Sequence, residues 1–166
     1  VLELESDIAA ARGLSTAPAG TWPATTDPRV RAIIALAPWN APLLDHSGIT
    51  RPTLILVGSA DDVTVPERDA YASFAALRAP ATLVTFDHAG HYLFVDECPP
   101  VLLQFDAFSA CSDPVWDMAR AHDLSRHLIT AFLRAHLQQD TAAAAALLPE
   151  QVSYPGVTYQ VEAAGP

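Results

Sequence analysis

The sequence contains no lysine: its nine basic side chains are all arginines, set against 19 acids for a net charge of -10. A chain this acidic offers no basic patch on which a phosphate backbone or an anionic lipid surface could rest, so neither nucleic acid nor membrane is an expected partner. A long hydrophobic run is also missing. The longest apolar stretch, Arg31 to Pro42, contains prolines and falls far short of the ~20 residues of a membrane helix. No charged-then-apolar signal segment opens the chain, which starts at Val1 rather than Met, and sequence upstream of Val1 is expected. Cysteine is scarce. Cys98 and Cys111 are too few for a disulfide scaffold and lack the CxxC spacing of zinc or redox sites. They form either one bridge closing a short loop, worth up to ~3 kcal/mol, or two buried thiols. A bridge would lean towards an oxidising compartment, with secreted, periplasmic and cytoplasmic locations all open.

What is present is apolar material. Hydrophobic residues make up 51% and charged residues 17% of the chain, enough for one sizeable core and too little charge for a disordered segment. Residues 1 to 166 are therefore read as part of one domain: a connecting segment over 1–28, a strand and helix core over 29–149 and a polar, turn-like tail over 150–166. Within the first segment, residues 1 to 11 read as a weak helix. Three aliphatic, β-branched runs follow, at Val30 to Ala37, Thr53 to Val57 and Ala81 to Phe86. They are nearly continuous rather than alternating, the pattern of parallel strands covered on both faces by helices. Glu67 to Leu77 supplies a helical face between the second and third. After a short apolar segment from Val101 to Phe108, Leu124, Leu128 and Phe132 recur at four-residue spacing. They predict a long helix, with Asp113 as its N-cap and Pro114 in its first position. An alanine-rich turn, Thr141 to Leu148, ends at Pro149.

The chemistry-bearing signals lie just past two of these strands. PTLILVGSADDVTVP, Pro52 to Pro66, runs from a buried strand through Gly58 directly into carboxylates, at the sheet edge where open α/β folds bind ligands. DHAGHYLF, Asp87 to Phe94, places polar groups past the next strand, with Gly90 expected to let the chain turn sharply before His91. An acid after one strand and a histidine after the next is the order in which α/β-hydrolases complete a Ser, Asp, His triad. Histidine titrates near neutral pH and can take and return a proton. A buried carboxylate on its other nitrogen fixes the tautomer and stabilises the imidazolium.

Those two segments, together with DPRVRAIIALAPWN and CSDPVWDMARAHDLSRHLITAFL, resemble predicted dienelactone-hydrolase-type α/β-hydrolases and, more distantly, bacterial cutinases and polyester hydrolases, over Asp27 to Tyr159. The resemblance implies an α/β fold, the C-terminal part of a doubly wound hydrolase sheet with about three parallel strands, flanking helices and a long C-terminal helix. It also implies a serine-dependent carboxylic ester hydrolase acting on a small-molecule ester, with no cofactor and no metal. Carried over by position, Asp61 matches the acid, His91 the histidine and Trp39 the aromatic that walls the acyl-binding cleft. No GxSxG occurs in these residues, so the nucleophile and oxyanion donors are expected in a missing N-terminal half, the implied partner of this chain. Alone, the chain is expected to be inactive and to self-associate through an exposed sheet edge.

Several alternatives remain at this level. Pro66 lies five residues after Asp61 and four after Asp62, the family's usual spacing, although Asp61 fits better from the glycine side. His88 competes with His91. His88, His91 and Asp96 can be read as metal ligands, while His122, His127 and His136 share no clean ligand face. Ser47 and Ser59 are the available hydroxyls, neither on a strand-to-helix elbow, and Trp39 is either cleft wall or packed core. From another class comes a non-catalytic interaction module that uses the fold for binding alone.

Overall fold

A computed structural model describes residues 2–19, 27–40, 46, 48–105 and 108–163. After a helix, α1 (Leu2–Ala11), strands β1 (Ile33–Leu36), β2 (Thr53–Gly58) and β3 (Ala81–Phe86) lie side by side, all parallel. Every residue of β2 and β3 is buried, and alternation explains how. Successive side chains of a strand point to opposite faces. Leu54, Leu56, Val84 and Phe86 pack on one face with Leu128 and Phe132 of the long helix α4 (Met118–Gln138). Ile55, Val57 and Leu83 pack on the other with Phe74 of α2 (Ala70–Ala76). Helices therefore cover both faces, and the continuous apolar runs are two interleaved cores.

The tail corrects the expectation of three strands and a turn-like 150–166. Val157–Glu162 forms a fourth strand, β4, antiparallel to β3, giving a mixed sheet of order β1-β2-β3-β4. Val152 is buried in the α4-side core, and Tyr159 packs against it while donating its hydroxyl to Leu147 O. The alternation Val157, Tyr159, Val161 against Thr158, Gln160, Glu162 is a strand pattern, half-buried because it runs along an edge. Gly156 begins it at φ +78°, where a Cβ would come within 2.9 Å of the Trp116 ring.

The start of the long helix is also corrected. Its N-cap is Asp117, whose carboxylate accepts from Arg120 N–H, and Asp113 with Pro114 lies in the turn before it. The other bounds tighten: the strand expected over Val30 to Ala37 spans Ile33–Leu36, and the helix expected over Glu67 to Leu77 spans Ala70–Ala76. Short helices α3 (Pro100–Leu103) and α5 (Thr141–Ala146) complete the set, α5 capped by Asp140 through Ala142 N–H and Ala143 N–H. Cys98 and Cys111 are joined by a disulfide with Cα atoms 4.9 Å apart. Among the described residues no helix is long and apolar enough to cross a membrane, and β1 pairs with β2 alone.

Candidate active site

Two turns meet at the C-terminal ends of β2 and β3. The first, Ser59 to Thr64, folds around the side chain of Asp61. Its Oδ1 accepts Val63 N–H at 2.9 Å and Thr64 N–H at 2.7 Å, the local bonding by which an aspartate builds a turn on the residues two and three ahead of it. Its Oδ2 accepts the Thr64 hydroxyl at 2.7 Å and faces His91 Nδ1 at 2.9 Å. His91 opens a short 3-10 helix, His91–Phe94, that follows the second turn.

The two turns are latched together by two hydrogen bonds. Ala60 N–H donates to Ala89 O at 2.9 Å, and His88 N–H donates to Ser59 Oγ at 2.7 Å. This closeness is why residue 58 is glycine: a Cβ there would sit 2.3 Å from Ala89 O. Gly90 plays a different part from the sharp turn expected of it. Its φ is -89°, and the left-handed residue in this loop is His88, at φ 61°. Gly90 N–H donates to Asp113 Oδ2 at 2.7 Å, and His122 Nε2, on α4, lies 3.1 Å from Leu93 O at the other end of the histidine's helix.

The electrostatics follow from these bonds. Burial of the Asp61 carboxyl favours its neutral form, yet the hydrogen bonds from His91, Thr64 and Val63 outweigh it and hold the carboxyl below its ordinary range. Asp61 is therefore an acceptor-only carboxylate, and Nδ1 of His91 carries the proton directed at it. The Thr64 hydroxyl, its own hydrogen given to Asp61, lies 3.3 Å from Nδ1 as a secondary acceptor. In the neutral ring the lone pair then belongs to Nε2, which makes no hydrogen bond among the described residues. The Asp61 side chain is fully buried and that of His91 is 25% exposed, so the free nitrogen belongs to the half of the pair that reaches solvent. Such a pair can accept a proton at Nε2 and stabilise the resulting cation.

The structure thus brings Asp61 and His91 together and leaves the competing residues apart. Asp62 is exposed and has no bond to His91. Asp96 is exposed, and among the described residues no three His, Cys, Asp or Glu groups converge as a metal would require. His136 stacks on Phe132, and His127 meets Tyr154 edge-on. Ser59 has its hydroxyl committed to His88 N–H, and Ser47 lies outside the described residues. Trp39 is 64% exposed and so is not a core residue. It lies two residues after Ala37, whose carbonyl oxygen is 3.4 Å from Thr64 Oγ1, so the loop after β1 borders the acid's turn. An open groove of about 590 Å³ between α4 and α5 is lined by Arg126, Thr130 and Arg134, and neither Asp61 nor His91 borders it. Sequence reasoning did not single out Thr64 or Asp113 as site residues. Thr64 was legible from its place three after Asp61, whereas nothing local marks Asp113. A scan against protein-family models and a search of curated proteins each returned no match to this chain.

Proposed function

We propose that this chain supplies the acid and the base of a serine-dependent carboxylic ester hydrolase resembling the dienelactone-hydrolase type, with Asp61 orienting His91. The observation that carries the reading is the contact between buried Asp61 Oδ2 and His91 Nδ1 at 2.9 Å, with Nε2 left unengaged among the described residues. A serine hydroxyl placed at Nε2 would lose its proton to the ring as it attacked an ester carbonyl. The imidazolium, stabilised by Asp61, would return that proton to the departing alkoxide, and water would repeat the cycle on the acyl-enzyme. No step needs a cofactor. The serine and oxyanion donors come, in this reading, from chain outside these 166 residues, which contain no GxSxG. The β1 edge is where further strands of such a sheet would add, and without them it would favour self-association. Exposed Trp39, beside the acid's turn, suits a wall of the substrate cleft.

The test is hydrolysis of a short-chain chromogenic ester by this chain alone, by the protein extended upstream of Val1, and by the extended His91→Ala variant. The expected result is background turnover by the chain alone, and turnover by the extended protein that falls roughly 10²–10⁴-fold in the variant. His91-independent turnover would overturn the assignment. Absence of turnover in the extended protein would favour the non-catalytic binding module. His91-dependent turnover by the chain alone would place a nucleophile inside it, with Ser47 and Ser59 the first to test.

A further inference from the structure

We infer that Asp113 is a positioning residue for His91, acting through the Ala89–Gly90 peptide that leads to the histidine; its effect on turnover rests on the catalytic reading above. Asp113 Oδ2 accepts Gly90 N–H at 2.7 Å, while Oδ1 accepts Val115 N–H at 2.9 Å and Trp116 N–H at 2.8 Å. One carboxylate therefore ties the His91 loop to the turn that leads into α4. The same turn grips the loop a second time: the Trp116 indole N–H donates to Asp87 O at 2.9 Å, and its ring meets Phe86 edge-on at 5.1 Å. The disulfide from Cys98 reaches Cys111, two residues before Asp113, so the chain on either side of this clamp is covalently joined.

The clamp matters because Gly90 is the soft point of the loop. Its backbone is extended, and among the described residues a Cβ there would meet only Asp113 Oδ2, at an ordinary 3.5 Å, so packing against them does not demand glycine. With no side chain to restrict it, the Gly90 backbone relies on the bonds of the Ala89–Gly90 peptide. Ala60 N–H holds that peptide's carbonyl from the acid's side, and Asp113 holds its N–H from the α4 side through a charge-assisted bond, among the stronger ones available. The two together set where the imidazole stands relative to Asp61.

Both Asp113 oxygens accept from N–H groups, so Asp113→Asn must turn its NH2 towards one set. Two donors at Val115 and Trp116 outweigh one at Gly90. The amide oxygen therefore stays on the helix side, and Gly90 alone loses its partner. In this chain, NMR of the His91 ring should show the Nδ1–H resonance exchange-broadened or lost, with wild-type thermal unfolding largely retained. In the extended protein, kcat should fall about tenfold at near-constant KM. Gly90→Ala in the Asp113→Asn background restricts the same peptide and should recover part of both signals. Should Asp113→Asn fail to fold, Asp113→Ser caps the turn while being too short to reach Gly90, and the same shifts are expected. An unchanged Nδ1–H resonance and kcat, in whichever variant folds, overturns the positioning role even if stability falls. Failure of the hydrolase reading looks different: turnover is then absent from the extended protein or survives His91→Ala, whatever Asp113 does to the ring.

Discussion

Gly58→Ala probes the junction between the acid's turn and the histidine's. The added Cβ would stand 2.3 Å from Ala89 O, 2.7 Å from Ala89 C and 2.9 Å from Gly90 O, all backbone atoms that cannot rotate away. Ordinary contact begins near 3.4 Å, so the Ala89–Gly90 segment must retreat by about 1 Å or β2 must bow. Overpacking of this kind costs about 1–3 kcal/mol. Retreat also lengthens the Ala60 N–H to Ala89 O bond from 2.9 Å, forfeiting roughly 1 kcal/mol more. Replacing a strand glycine by alanine returns about 0.5–1 kcal/mol of backbone entropy. The net expectation is a loss of about 1–3.5 kcal/mol in urea unfolding. The same retreat carries His91 away from Asp61, taking the 2.9 Å contact beyond hydrogen-bonding range, and a misplacement of about 1 Å costs on the order of 10²-fold in turnover. The Nδ1–H resonance should disappear in the folded variant. Gly48→Ala is the control, since among the described residues nothing lies within 4 Å of its added Cβ. If Gly58→Ala unfolds at the wild-type urea midpoint and keeps the Nδ1–H resonance, the close approach does not hold the pair and the argument fails.

Because Asp61 titrates below its ordinary value when folded, it contributes stability above about pH 4 that is lost as pH falls through the folded value; Asp61→Asn should flatten that acid limb in urea melts. Thr64→Val, which removes one of the donors responsible, should shrink the limb without abolishing it. Reduction of the Cys98–Cys111 bridge, or its replacement by a serine pair, should cost about 3 kcal/mol in the chain-entropy account; a wild-type midpoint under reducing conditions would refute a stabilising bridge.

The sequence carried the sheet's interior because burial on both faces leaves a local mark. β2 and β3 read as unbroken aliphatic runs whichever helices cover them, and the carboxylate and the histidine stand directly after those runs. The stripe Leu124, Leu128, Phe132 marked the long helix for the same reason. β4 left its alternating pattern too, but an edge strand is half polar and was read as tail. Spacing from Gly58 favours Asp61 over its chemically identical neighbour Asp62, but which of them meets His91 is a matter of folding: the strand's exit turns Asp61 inward onto Val63 N–H, Thr64 N–H and a histidine 30 residues away, and leaves Asp62 in solvent. Asp113 followed by proline reads locally as a helix cap. The helix instead starts after Asp117, and Asp113 keeps Oδ1 on the local Val115 and Trp116 N–H groups while Oδ2 reaches Gly90 N–H, 23 residues upstream. Local pattern records what a residue does for its own helix or strand, whereas a bond between distant turns exists only once the sheet has set their separation.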